Sequence, residues 1–109
     1  MVIGTPGGSH IATSVFQVIT NWHDFHLPLG EAVAAIRVHH QLLPPDTIFE
    51  EPYGALPAGV HAELTARGYR FVTSFNGDIQ AIACSDLGCE AVADPRGRGV
   101  AQVLKERRK

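Results

Sequence analysis

Two adjacent glycines, Gly7 and Gly8, are the residues of this chain best suited to chemistry, because they stand where an apolar helix is predicted to begin. Residues 4–9 read Gly-Thr-Pro-Gly-Gly-Ser and lead into an apolar run that ends at Trp22. Glycine has no side chain to screen its peptide plane, so a substrate oxygen can approach the main-chain N–H groups directly. Two such donors can hold the negative charge that develops on oxygen during acyl transfer. The pattern predicts an oxyanion-binding turn, with a plain helix start as the alternative.

Two pairs of histidines offer candidate metal ligands. His23 and His26 lie three residues apart near a predicted helix end, which is a workable ligand spacing, but we favour a solvated helix terminus. His39 and His40 are adjacent, and adjacent side chains point in different directions, so a packing role is favoured over a shared metal. The sequence therefore predicts no metal site and no cofactor.

Three other features are expected to be structural. Cys84 and Cys89 flank a turn, and we expect two reduced thiols, with a disulfide as the alternative in an oxidising compartment. Arg37 stands between apolar neighbours and is expected to pair with a carboxylate inside the fold. The segment Asp94-Pro95-Arg96 is expected to form a turn closed by an ion pair or hydrogen bonds, and a direct role in substrate binding is the alternative.

Composition narrows the class of protein. A chain of 109 residues has room for one domain, and 45% hydrophobic residues with a mean hydropathy of +0.03 suit a globular fold with some apolar surface to cover. The net charge of −2 and pI of about 6.3 provide no basic field for nucleic acid, and residues 105–109 are expected to be a solvated tail. No apolar run approaches the roughly 20 residues that span a bilayer, so no membrane association is expected. Without a signal peptide, the chain as written is expected in the cytoplasm.

Helical periodicity dominates the first half of the chain. Val2-Ile3 is expected to be a strand stub, and Ser9 is expected to cap a helix that ends before Leu27-Pro28. The apolar face of that helix is predicted to comprise Ile11, Val15, Val18, Ile19 and Trp22. Further helices are predicted over residues 29–38 and 56–67, with a short strand over 47–50 between them, Pro57 in the last helix's first turn and Gly68 at its end.

Alternating periodicity follows in the second half. Strands are predicted over residues 69–74 and 79–83, joined as a hairpin across Asn76-Gly77. A turn over 85–88 leads to another strand over 89–93. Helices first and an antiparallel meander afterwards indicate an α+β fold.

Several sequence blocks, in the same order, resemble the C-terminal part of the small subunit of γ-glutamyltransferases (γ-glutamyltranspeptidases). Residues 4–9 are similar to the family's Gly-Ser-Pro-Gly-Gly-Ser block. The other blocks are Glu31-Ala32-Val33, Arg37-Val38-His39-His40-Gln41 with Leu43-Pro44, Gln80-Ala81-Ile82, and Ala93-Asp94-Pro95-Arg96. Because the blocks extend from Gly4 to about Gly99, the resemblance covers nearly the whole chain, which we treat as one domain over 1–109 with a basic tail from about 100.

The resemblance implies part of an N-terminal-nucleophile hydrolase fold, an αββα sandwich. In that family a processed threonine attacks a γ-glutamyl amide such as glutathione, and the acyl group passes to an amino acid, a peptide or water. Gly7 and Gly8 match the family's oxyanion-hole pair. None of Thr5, Thr13 and Thr20 matches the nucleophile, so no nucleophile is expected in this chain.

Two functions from different classes therefore remain open. The first is a γ-glutamyltransferase-like domain or fragment that supplies oxyanion-hole glycines and is inactive alone, with γ-glutamyl compounds as ligands only beside the rest of the enzyme. The second is a stand-alone anion-binding or protein-interaction module. In either case we expect a homo-oligomer, a dimer in the simplest form, that covers open sheet edges. A fragment of a full-length family member would belong in the periplasm or outside the cell.

Overall fold

The computed structural model describes residues 1–52 and 54–104, arranged as two small sheets and three helices. The predicted tail over residues 105–109 lies outside the described residues. In chain order the elements are β1 (Val2–Gly4), α1 (His10–His23), α2 (Leu29–Ala34), β2 (Val38–His39), β3 (Thr47–Glu50), α3 (Ala58–Ala66), β4 (Arg70–Thr73), β5 (Gln80–Ser85) and β6 (Gly88–Ala93).

The first sheet has the strand order β1-β5-β6 and is antiparallel throughout. The stub of strand expected at Val2-Ile3 is confirmed, since Val2 pairs with Ile82. The turn expected over 85–88 is also confirmed, because β5 and β6 form a hairpin in which Ser85 pairs with Gly88. Alternate residues of β5 point to opposite faces, so Ala81 is buried while Ile82 is exposed.

The second sheet has the order β2-β3-β4, and its topology corrects one prediction. Strand β4 pairs in parallel with β3, with Ile48 opposite Phe71, and it does not form a hairpin with β5. Asn76-Gly77 therefore lies in a connection between two sheets. A helix between β3 and β4 supplies the crossover that a parallel pair needs. The strand–helix–strand order in the sequence is typical of a parallel pair. The Asn-Gly motif favoured a hairpin instead, and that local pattern was misleading here.

Helix α2 is shorter than predicted. The backbone leaves the helical region at Ala35 (φ −57°, ψ 148°), so residues 35–38 are not helical. Two long-range contacts hold this segment in an extended conformation. The Arg37 N–H donates to Glu51 Oε1 at 2.8 Å, and Val38 pairs with Glu50 in the second sheet. The alanine-rich pattern predicted a helix as far as residue 38, but these long-range contacts end it at Ala34.

The core lies between helices α1 and α2 and the first sheet. Its buried members are Val18, Leu29, Ala32, Val33, Ile79 and Ala81, with Val15 and Trp22 packed partly against them. The predicted face of α1 is correct at these positions and wrong at Ile11 and Ile19, each 40% exposed. Ser14 is buried in their place because its hydroxyl donates to the Asn76 carbonyl at 2.8 Å. A polar contact, invisible to hydrophobic periodicity, thus sets the rotation of α1.

Helix α3 covers residues 58–66 of the predicted 56–67 and contains no buried residue. Pro57 stands at its start and Gly68 follows its end with φ +95°, a left-handed conformation that favours glycine. Within the described ranges, the structure contains no helix with the length and apolar character that crossing a membrane requires.

Candidate functional site

The Gly7-Gly8 turn has the geometry of an exposed donor site. Both glycines have positive φ, +141° at Gly7 and +58° at Gly8. Their carbonyl oxygens accept from the first helical N–H groups, from His10 to Gly7 at 3.1 Å and from Ile11 to Gly8 at 3.2 Å. Among the residues that the structure describes, no acceptor bonds to the N–H of either glycine. Two main-chain donors are therefore left open at the positive end of α1.

Ser9 occupies the N-cap position but does not cap the helix. Its backbone is helical (φ −63°, ψ −22°), and its hydroxyl donates 2.9 Å to the Gln41 side-chain oxygen instead of accepting from the next turn. The predicted side-chain cap is therefore wrong. The reason is the hydrogen bond to Gln41, 32 residues away in sequence, which occupies the Ser9 hydroxyl.

A cluster of polar and aromatic side chains around His39 lies next to the Gly7-Gly8 turn. His39, 4% exposed, has Thr13 Oγ1 2.8 Å from its Nδ1 and donates from Nε2 to Gln41 Oε1 at 2.8 Å. The ring of His10 stacks on that of His39 with centroids 3.9 Å apart. These contacts agree with the packing role expected for His39, and His40 is exposed on the other side. His10 and Gln41 have roles that the sequence did not indicate.

The segment before the glycines is fastened to the connection between the sheets. Asp78 N–H donates to Thr5 Oγ1 at 2.7 Å, and the same hydroxyl donates to the Pro6 carbonyl at 2.8 Å. At Gly77, where φ is +94°, a Cβ would lie only 2.8 Å from Thr5 Oγ1. Glycine is therefore required at 77 by the close approach of these two segments.

Asn76 is the central hydrogen-bonding residue of that connection. Its Nδ2 donates to the carbonyls of Arg37 and Phe49, each at 3.0 Å, so its Oδ1 is the acceptor for His10 Nδ1 at 2.7 Å. One buried amide thus joins the start of α1 to the second sheet. The sequence suggested only a turn residue here.

Behind Asn76, the Arg37 side chain is fully buried, and each of its three guanidinium nitrogens donates at least one hydrogen bond. Its guanidinium donates to Asp94 Oδ2 at 2.6 Å, and both side chains are 0% exposed. The remaining guanidinium bonds go to the backbone carbonyls of Val33, Asn76 and Gly77. The expected pairing of Arg37 with an internal carboxylate is confirmed, and its partner lies 57 residues away.

Arg96 and Glu51 complete this buried cluster, which we call the ion network (Arg37, Glu51, Asp94 and Arg96). Arg96 forms a two-bond pair with Glu51, and its Nη1 donates to Asp94 Oδ1 at 3.1 Å. The turn expected at 94–96 is confirmed, since Arg96 N–H also bonds Asp94 Oδ1 at 3.0 Å. Two positive and two negative groups balance, which is the condition under which buried charges are tolerated.

The contacts within the ion network shift the pKa values of Asp94 and Arg96. Burial alone would raise the pKa of Asp94, but the N–H groups of Ile79 and Arg96 and the Arg37 guanidinium together hold that pKa below its ordinary value. For Arg96, burial works against the charged form, yet the bonds to Glu51 and Asp94 raise its pKa. Both shifts favour the charged forms of Asp94 and Arg96.

A cavity of about 230 Å³ lies beside the network and the glycine turn. It is lined by Glu51, Pro52, Phe75, Asn76, Gly77, Asp78, Arg96 and Gly97. Phe75 connects it to the turn, because a Cβ built on Gly7 would lie 3.7 Å from the Phe75 ring.

The remaining candidates lie away from this site. His23 is exposed and bonds Asp24 at 2.9 Å, as expected of a solvated helix end. Cys84 and Cys89 form a disulfide at the tip of the β5–β6 hairpin, so the expectation of reduced thiols is wrong, because the register places them directly opposite one another. Over residues 1–52 and 54–104, no group of three or more His, Cys, Asp or Glu side chains is placed to hold a metal ion.

The chain has the α+β fold of the N-terminal-nucleophile hydrolases, as the sequence predicted. Its helices pack on a sheet, and a glycine turn stands at the start of α1. Within that class, the chain belongs to the γ-glutamyltranspeptidase family: the model of that family matches residues 1–104.

Individual relatives agree with this assignment. The chain is 56% identical over 107 residues to the glutathione hydrolase proenzyme of Pseudomonas aeruginosa, an alignment that covers 96% of this chain and 19% of the relative. It is also 56% identical to the γ-glutamyltranspeptidase of Pseudomonas nitroreducens solved with L-DON, with a TM-score of 0.91 over 95% of this chain and 55% of that one. The transpeptidase CapD of Bacillus anthracis shares the fold at 19% identity, with a TM-score of 0.77 over 94% of this chain and 62% of that one. The chain thus spans about a fifth of the curated relative's length.

Proposed function

We propose that this chain supplies the oxyanion-binding donors of a γ-glutamyl transfer or hydrolysis site whose nucleophile lies on another part of the enzyme. The N–H groups of Gly7 and Gly8 would hold the oxygen of a γ-glutamyl amide, such as that of glutathione, as its carbonyl becomes tetrahedral. The observation that carries the proposal is the pair of glycine N–H groups without an acceptor among the described residues, at the positive end of α1.

The surroundings support a site held in a fixed geometry. The residues that flank the glycines are each hydrogen-bonded to a distant segment. Thr5 accepts from Asp78 N–H, Ser9 donates to Gln41, and His10 bonds Asn76. The turn is therefore fixed before a substrate arrives, which is the condition under which such donors lower a barrier. Most of the substrate contacts would come from the remaining four fifths of a full-length relative.

The chain by itself is proposed to be catalytically incomplete. Thr5 and Thr13 are the threonines nearest the glycines in sequence, and their hydroxyls are both occupied by structural bonds, Thr5 with Asp78 N–H and Thr13 with His39 and the His10 carbonyl. These bonds support the proposal that neither hydroxyl acts as the nucleophile.

A γ-glutamyl-anilide assay tests the proposal. We expect no turnover from the purified 109-residue chain. We expect turnover when residues 1–104 replace the matching segment of the Pseudomonas aeruginosa relative, because the two sequences are 56% identical over 107 residues. Activity that stays with the isolated chain through purification would contradict its incompleteness, and a folded but inactive chimera would contradict the donor role.

The same open N–H groups favour one second candidate, a stand-alone module that binds a carboxylate or phosphate. Calorimetric titration of the isolated chain with glutamate, glutathione and phosphate separates the two functions. Heat of binding together with an inactive chimera would favour the module. An active chimera and no heat from the isolated chain would favour the transferase role.

We also propose that the isolated chain forms a homodimer. Strand β1 is the edge of its sheet and pairs only with β5 within the described residues, and several large apolar side chains are exposed, including Val2 at 71%, Phe16 at 68% and Phe25 at 67%. Light scattering at micromolar concentration is expected to give twice the chain mass of 11.7 kDa. A mass of one chain at that concentration would refute self-association.

Of the two locations expected from the sequence, we propose the periplasm or the exterior of the cell. The Cys84–Cys89 disulfide supports this location, since disulfides persist in oxidising compartments.

A further inference from the structure

The tip of the β5–β6 hairpin carries its disulfide on the surface and outside the core. Cys84 and Cys89 are paired directly across the strands, with Cα atoms 4.0 Å apart, and both residues are exposed. Only Asp86 and Leu87 lie beyond the last register pair, and Leu87 is 100% exposed. A small molecule can therefore reach the sulfur atoms without any opening of the fold.

A cavity of about 350 Å³ adjoins the disulfide. Its lining includes Trp22, both cysteines and Glu90. Trp22 is half-buried at the base of this surface and is the only tryptophan of the chain. The cavity has room for the body of a small aliphatic thiol attached to one of the cysteines.

We propose that the Cys84–Cys89 disulfide is a thiol-exchange site for small aliphatic thiols, and that it reacts fastest with thiols that carry an ammonium group. In the first step the thiolate sulfur attacks one cysteine Sγ, the Cys84–Cys89 bond breaks, a mixed disulfide forms, and the other cysteine leaves as a thiolate that takes a proton from water. A second thiol then attacks the mixed disulfide, which releases a small-molecule disulfide and leaves two protein thiols. Two thiols are oxidised and one protein disulfide is reduced, so electrons balance.

Charge at the hairpin tip sets the preference among thiols. Asp86 and Glu90 are exposed residues that lie within two positions of Cys84 and Cys89 in sequence, and residues 80–93 include no lysine or arginine. A carboxylate about 7 Å from a charged thiol in water changes the local concentration of that thiol about twofold to threefold. Two carboxylates acting on a cationic rather than an anionic thiol should therefore separate their rates by about fivefold or more.

The exchange does not require unfolding. In addition to the Cys84–Cys89 and Ser85–Gly88 pairs, four register pairs join β5 to β6, from Gln80–Ala93 to Ala83–Glu90. Neither cysteine belongs to the buried cluster formed by α1, α2 and the first sheet. The dithiol form should keep the same fold, with a change confined to the tip.

Exchange rates with three thiols test the proposal on the isolated chain. Cysteamine, 2-mercaptoethanol and mercaptoacetate are compared at equal thiolate concentration, with the rise of Trp22 fluorescence as the readout, since a nearby disulfide quenches indole emission. Far-ultraviolet circular dichroism follows the fold in parallel. Each rate is divided by the rate of the same thiol with the uncharged disulfide of 2-mercaptoethanol, because intrinsic thiolate reactivity rises with the thiol pKa. We expect this relative rate to be about fivefold higher for cysteamine than for mercaptoacetate, with the circular dichroism unchanged.

Matched variants make the test decisive. In the Asp86→Asn, Glu90→Gln double variant we expect the two relative rates to agree within about twofold. In Cys89→Ser, treatment with cystamine, the disulfide of cysteamine, should add the mass of one cysteamine to Cys84. Loss of the fold on reduction, an unchanged rate ratio in the double variant, or thiols that stay reduced in excess oxidised glutathione would each overturn the proposal.

Discussion

Replacing Asp94 by asparagine is expected to lower the free energy of unfolding by about 3–5 kcal/mol, the loss typical of a broken buried ion pair. Both oxygens of Asp94 accept two bonds, Oδ1 from the N–H and guanidinium of Arg96 and Oδ2 from Arg37 and the Ile79 N–H. An amide of the same shape must turn its NH₂ group toward one of these donor pairs. The variant also leaves Arg37 without a charged partner at 0% exposure.

Denaturant unfolding at neutral pH measures the effect of Asp94→Asn. Glu63→Gln is the matched control, because Glu63 pairs with Arg67 on the exposed surface of α3 and its loss should change stability by no more than about 0.5 kcal/mol. Equal effects of the two substitutions would show that the ion network does not stabilise the fold.

The pH dependence of the same comparison provides an independent check. The pKa of Asp94 is lowered in the folded chain, so its contribution is present above its unfolded pKa of about 4 and is lost as the pH falls toward the folded value. We therefore expect the difference in stability between the wild type and Asp94→Asn to shrink below about pH 4. A difference that stays constant to pH 2.5 would contradict the assigned pKa direction.

Replacing Gly7 by alanine in the active chimera is expected to lower kcat about 100-fold or more, as the loss of an oxyanion donor does. At φ +141° the backbone of Gly7 is outside the regions open to a residue with a Cβ, so alanine must rotate the peptide and turn the N–H groups away. The effect should fall on kcat and leave KM nearly unchanged, because the oxyanion exists only in the transition state.

Two other glycines serve as controls for Gly7→Ala. At Gly8, φ is +58° and a Cβ meets nothing within 4 Å, so alanine costs only about 1–2 kcal/mol of left-handed strain and should reduce kcat much less. At Gly30, inside α2, a Cβ also meets nothing within 4 Å and φ is not positive, so Gly30→Ala should leave kcat unchanged. A Gly7→Ala chimera with the kcat of Gly30→Ala would exclude the donor role.

The sequence was sufficient for the family, the α+β class and the approximate position of most elements. Those inferences depend on local patterns, such as the apolar spacing around Val18 and the turn over 85–88, and on blocks of residues in a characteristic order. Arg37 could also be assigned an internal carboxylate partner, because a charged residue between apolar neighbours on a buried segment must be neutralised.

What the sequence could not provide was set by contacts between distant residues. Asn76 and Gly77 carry the strongest local hairpin signal, yet the amide of Asn76 is committed to Arg37 and Phe49 and the left-handed Gly77 makes room for Thr5. Ser9 has the residue type of a helix N-cap, but its hydroxyl donates to the Gln41 side-chain oxygen instead. Glu51, the second carboxylate of the ion network, follows a short strand and has no sequence feature that distinguishes it from a surface residue.

The ion network has a consequence for how the chain folds. Arg37 and Glu51 flank strands of the second sheet, while Asp94 and Arg96 follow the last strand of the first, so the Arg37–Asp94 and Arg96–Glu51 pairs form only when both sheets are in place. An intermediate with one sheet formed would lack both pairs, and a charge that is buried without its partner is strongly unfavourable. The two sheets, although they share no strand, should therefore form and melt together in one cooperative transition.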